Sequence, residues 1–164
     1  MTYSDSLIEQ YQSKGLLLDS NLLLLHLVGS INPALIGSSR LTSFTIRQMV
    51  FLQQFTAGFR RMVTTAHVLT EVSNLVNDLH AEGKKEIWSR FVSTLEMIEE
   101  QPYSSYEAAR LPEFRYLGLT DTVLTAMSND FLIVSNDGRM VNLLWERNLN
   151  ALKWVDLLRD AGFL

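Results

Sequence analysis

Four acidic residues stand where short apolar runs pass into helix-like runs: Asp19 in LLLDSN, Glu71 in HVLTEV, Asp121 in GLTDTV and Asp137 in IVSNDG. No other feature constrains the fold as much. A carboxylate at the end of a buried strand loses hydration, and several drawn together repel one another. Such a chain needs a fold that gathers its acids at one edge, and a cation to offset their charge. The pattern predicts strands alternating with helices and a divalent metal site where the acids meet.

The run GLLLD, residues 15–19, is apolar up to its acid and suits a first strand buried on both faces. Turn-like sequence follows from Ser30 through Asn32-Pro33 and Gly37-Ser38-Ser39. Ile46, Met49, Val50 and Phe51 then recur at helical spacing, so residues 30–60 form a helical excursion between the first and second acidic motifs. RMVTT, residues 61–65, reads as a second strand, and Val68, Val72, Leu75, Val76 and Leu79 continue it as a helix beginning near Glu71. A further helix is predicted over residues 84–100, with Ile87, Phe91, Leu95 and Ile98 on one face. Beyond it lie a short helix broken near Pro112 and a helix that Thr120 would cap, with Asp121 in its first turn. Residues 131–134 read as a strand, 139–147 as a helix, and 151–154 as a last strand before a helical turn. The expectation is one α/β domain over residues 1–164, a three-layer sandwich on a mainly parallel sheet of about four to five strands.

In such a sheet, ligands bind at the carboxyl edge, where the crossover helices begin. All four acids can face that edge although they lie far apart in the chain. Hard oxygen donors of this number and charge suit Mg2+ or Mn2+. The chain has no cysteine, which removes disulfides, thiolate catalysis and thiolate zinc sites, and fits a reducing compartment. A net charge of −4 argues against nucleic-acid binding over the whole surface. Arg60-Arg61, Lys84-Lys85, Arg40 and Arg47 read first as solvated helix faces, with a local basic rim as the alternative. The apolar stretch of residues 15–28 is interrupted by Asp19, Asn21 and His26 and falls short of the about 20 residues a bilayer span requires. It is expected to be core, and a cytoplasmic location without membrane association is expected, since MTYSDS carries an acid and no positive charge.

The four segments LLLDSNLLL, TTAHVLTEVSNL, GLTDTVLTA and LIVSNDGRM resemble, in order and local context, the acidic motifs of the PIN-domain ribonucleases, including the VapC-like toxins. The resemblance covers roughly residues 15–154. It implies a metal-dependent endoribonuclease that hydrolyses RNA, with Asp19, Glu71, Asp121 and Asp137 as metal-binding and catalytic acids. Asn21 would be the polar companion of the first motif, and the Ser135 hydroxyl would orient a ligand water. A toxin–antitoxin setting would add an antitoxin protein as partner. The alternative is a catalytically silent PIN-like module that binds RNA or protein. The chain departs from the family in its long helical stretch between the first two motifs.

Other enzyme classes fit less well. A haloacid-dehalogenase-type phosphatase needs a second Asp two residues after the first, where this chain has Asn21. A response-regulator receiver wants paired early acids and a Lys after its last strand, and Lys153 sits in an unconvincing context. His67 reads as structural, and His26 and His80 have no partners at ligand spacing. Trp88, Trp145 and Trp154 fall on apolar faces and read as packing residues. Phe44, Phe51, Leu52, Phe55 and Phe59 exceed what one amphipathic face needs and suggest a homodimer or partner surface.

Overall fold

The computed structural model describes residues 2–79 and 84–164; His80 lies outside them. Its centre is a five-stranded, all-parallel sheet of β1 (Leu16–Leu18), β2 (Met62–Thr64), β3 (Glu99–Glu100), β4 (Leu132–Ser135) and β5 (Ala151–Lys153), in the order β3-β2-β1-β4-β5. Register sets Leu17 of β1 beside Val63 on one side and Ile133 on the other. The inner strands are buried between helix layers, and Leu16, Leu17, Leu132, Ile133 and Val134 have no exposed surface at all. Helices cover both faces, giving an α/β three-layer sandwich.

The helices that build the site follow directly from the strands. After β1 comes α2 (Ser20–Gly29), after β2 α4 (Ala66–Asn77), and after β4 α8 (Gly138–Glu146). The apolar stretch that begins at Gly15 is thus β1 and α2, and α2 is buried almost all round by α3 (Ile46–Ala57), α4 and α5 (Lys84–Leu95). Gly29 allows α3 its close approach, since a Cβ there would stand 2.3 Å from Met49 Cγ. Among the described residues, no helix is long and apolar enough to cross a membrane.

Four elements differ from the sequence expectation. The helix from Lys84 ends at Leu95, not Glu100, because Thr94 O accepts from the N–H groups of Met97 and Ile98 and the chain turns into β3. Two exposed glutamates carry no strand periodicity; they are extended because the edge of β2 pairs with them, Val63 opposite Glu99, and Thr64 O accepts from Gln101 N. At the amino end, α1 (Tyr3–Tyr11), which was not predicted, opens on a capping box in which Thr2 and Asp5 each accept from the other's backbone N–H.

The fourth difference concerns α7 (Phe114–Ala126), which follows the short helix α6 (Ser105–Ala109). Gly118 interrupts α7 with φ 77° and ψ −175°, so Asp121 enters the first turn after a glycine break, not a turn capped by Thr120. That backbone region is nearly closed to any residue with a Cβ, although a methyl there would meet no atom within 4 Å. Gly118→Ala is therefore expected to lose about 1–3 kcal/mol of stability by conformational strain alone, read as a lower urea midpoint with unchanged slope.

The apolar surplus of the excursion is largely consumed within the chain. Phe44, Leu52 and Phe59 are buried, and Phe51 stacks between Phe55, Trp154 and Phe163, with ring centroids 6.3, 5.6 and 5.1 Å away. Trp154, the first residue of α9 (Trp154–Asp160), is buried; Trp88 and Trp145 are half-buried.

Candidate functional site

The strand order reverses at β1: the chain proceeds outward to β2 and β3 and then returns to place β4 on the other side of β1. At such a switch point two crossovers leave in opposite directions and open a crevice at the carboxyl ends of the strands. Asp19 and Asp137 flank this crevice, one after β1 and the other just beyond β4. Each is also the N-cap of the helix that follows: Asp19 Oδ1 accepts from Leu22 N at 2.9 Å, and Asp137 Oδ1 from Arg139 N at 2.8 Å.

Ser135 joins the two acids. Its hydroxyl donates to Asp19 Oδ2 at 2.6 Å and accepts from Asp137 N at 2.9 Å, while Asn136 N donates to the same Asp19 oxygen at 2.6 Å. Asp19 is thereby buried with three donors upon it. Burial pushes its carboxyl above the usual carboxylate range, the three donors pull the other way, and Asp137 adds to the rise.

Glu71 enters from α4, in its second turn because that helix already starts at Ala66. Ser20, the first residue of α2, donates from its hydroxyl to Glu71 Oε2 at 2.7 Å, tying Glu71 to the residue after Asp19. Asp121 comes from α7. Its carboxyl is pushed up to about 7, first by burial and then by the negative charges of Asp137, Asp19 and Glu71, with Arg139 opposing. The four acids thus share one electrostatic neighbourhood although 118 positions separate the first from the last.

Not every residue singled out in the sequence joins this web. Asn21 is exposed in the first turn of α2 and makes no side-chain hydrogen bond among the described residues, so the segment carrying Asp19 is held by Ser20, Ser135 and the Asn136 N–H instead. His67 Nε2 lies 2.7 Å from Ser105 Oγ and joins α4 to α6. Arg40 and Arg61 are ion-paired with Asp78 and Glu99, away from the acids. Among the described residues, the cation in the field of Asp121 is Arg139, whose only sequence signal was its position two residues after Asp137. Ser20 had no signal beyond adjacency to Asp19.

Among the described residues, no group of three or more His, Asp or Glu side chains stands close enough to hold a metal ion as placed. The donor chemistry nevertheless suits a hard divalent cation: the three carboxylates of Asp137, Asp19 and Glu71, opposed among the described residues by Arg139, raise the carboxyl of Asp121. Asp19 and Asp137 are pre-positioned by backbone donors; Asp19 Oδ1 accepts only from Leu22 N and keeps a further lone pair, and Asp137 Oδ2 accepts no hydrogen bond among the described residues. Joint ligation would draw Glu71 and Asp121 inward toward that fixed pair. No family model, curated protein or solved structure matches this chain.

Proposed function

We propose that this chain is a Mg2+- or Mn2+-dependent endoribonuclease of PIN type that hydrolyses RNA phosphodiester bonds, with Asp19, Glu71, Asp121 and Asp137 as metal-binding acids. The observation that carries this reading is the hydrogen-bonded web Glu71–Ser20 and Asp19–Ser135–Asp137 at the switch point of the sheet, faced by Asp121. The order of the four acidic motifs supports it independently.

A bound divalent cation would supply an activated water and offset the charge that develops on the phosphate. The chain's residues prepare for that chemistry. Three donors hold Asp19 in a single orientation, Ser135 ties the backbone of Asp137 to it, and Ser20 orients Glu71. Arg139, beside Asp137 and in the field of Asp121, offers positive charge to an entering phosphate. Water attacks directly, so no covalent nucleophile is required.

The biological setting proposed is a cytoplasmic toxin held by an antitoxin, acting as a homodimer. The second reading, a PIN-like module that binds RNA or protein without cutting it, is favoured by the absence of a closed three-carboxylate group among the described residues. One experiment separates them: purified protein is incubated with single-stranded and structured RNA in Mg2+, Mn2+ or EDTA, beside Asp19→Asn. Cleavage that requires metal and vanishes in the variant is the expected result. Binding without cleavage under every metal condition would replace the nuclease reading with the module.

A further inference from the structure

Beside the acids, the chain exposes a patch in which aromatic and basic side chains alternate. Tyr106 on α6 is 70% exposed and Tyr116 on α7 is 77% exposed, an unusual waste of apolar surface for residues that cover no core. Arg110 and Arg115 lie between them in sequence, are exposed, and form no ion pair among the described residues. The Arg110 guanidinium lies 5.5 Å from the centre of the Tyr106 ring. Arg110, Phe114, Arg115 and Tyr116 line one concavity of about 520 Å³.

This patch is continuous with the acidic site through Arg139. Its guanidinium donates to Tyr116 O at 3.5 Å, while its backbone N–H donates to Asp137 Oδ1. The patch is also anchored from beneath. Glu113, buried at the start of α7, is ion-paired with Arg147 at the end of α8.

We propose that the α6–α7 rim is the seat of an unpaired RNA strand entering the acidic site, with Tyr106 and Tyr116 stacking on bases and Arg110 and Arg115 holding phosphates. Flat exposed rings accept any base face, and interleaved arginines track the backbone between them. Paired bases are already stacked on their neighbours, so a duplex cannot use the rings. A chain of net charge −4 gains from concentrating free cations where phosphate must approach carboxylates. The inference rests on the nuclease reading for the strand's course toward the acids, but the binding surface is testable without catalysis.

The test measures affinity in EDTA, where cleavage cannot occur, for a labelled single strand of about twelve nucleotides and for its duplex. The single strand is expected to bind about tenfold or more tightly than the duplex. Tyr116→Ala should weaken single-strand binding about tenfold, and Tyr116→Phe should restore it. The double variant Arg110→Ala with Arg115→Ala should flatten the dependence of log affinity on log salt by about 1.4. Equal affinity for duplex, or rim variants that bind like the wild type, would overturn the proposal. Rim-dependent binding without cleavage in Mg2+ or Mn2+ would uphold the rim and remove the nuclease; cleavage indifferent to the rim variants would do the reverse.

Discussion

Purified Asp121→Asn is expected to lose RNA cleavage by about a thousandfold or more and, without metal, to melt at a higher temperature than the wild type at pH 8. The first effect follows if Asp121 is one of the metal-binding acids. The second follows from its surroundings. Burial and three neighbouring carboxylates move its carboxyl from the ordinary 3.8 to about 7, so the folded protein holds this proton more tightly than the unfolded chain does. Between those two values the native state binds more protons, and stability falls as pH rises, levelling above about 7. The ceiling on that loss is about 4 kcal/mol, reduced because the group is only half-buried and water screens part of the field. Asn carries no charge and escapes the penalty.

Thermal melts of metal-free wild type and Asp121→Asn from pH 4 to 9 would read this directly. The difference between the two curves isolates Asp121 from His26, whose pKa is lowered by burial and by Arg90, so that its contribution has the opposite sign and is lost as pH falls. Mg2+ or Mn2+ should then raise the Tm of the wild type more than that of the variant. A variant that cleaves normally, or a difference that does not change with pH, would show that Asp121 does not sit in the field of the other acids.

Asp19→Ala should also abolish cleavage, yet with the opposite effect on the fold, losing about 2–4 kcal/mol. The carboxylate of Asp19 is where three donors end, and alanine leaves Leu22 N, Asn136 N and the Ser135 hydroxyl without their acceptor. One of these is the cap of α2 and another closes the β4–α8 turn, so the loss reaches both walls of the crevice. Asp19→Asn keeps one acceptor oxygen, either for Leu22 N or for the Ser135 hydroxyl and Asn136 N, and turns its amide donor toward the remaining side, so it should fall between wild type and alanine. Urea denaturation of the three proteins at pH 7 gives the order. Equal stability of Asp19→Ala and wild type would mean that the web around Asp19 contributes nothing to holding the crevice.

The opposite stability effects at two neighbouring acids could not be read from the sequence, where Asp19 and Asp121 look alike. Both read as acids at the start of a helix. Asp19 differs because β4 lies against β1 and brings Ser135 and the Asn136 N–H to it across more than a hundred residues. Long apolar signals were legible for a related reason: β1, β4 and the buried face of α4 are specified by their own residues and by their need to leave water. β3 was not, since Glu99 and Glu100 are extended only because β2 offers them an edge. Thr120 was a reasonable cap by residue type, but Gly118 already made the break. Asn21, chosen by position in its motif, stays in solvent, and the neighbouring Ser20 makes the contact to Glu71.

By itself, the sequence determined the alternation of strand and helix and put Asp19 and Asp137 at strand-to-helix junctions, because burial periodicity and capping are local matters of spacing and side-chain type. Tertiary structure alone decided the strand order, and with it the reversal at β1 that turns separate helix caps into one crevice. It also decided which donors hold each carboxylate, since those donors come from parts of the chain that meet only when the sheet has closed.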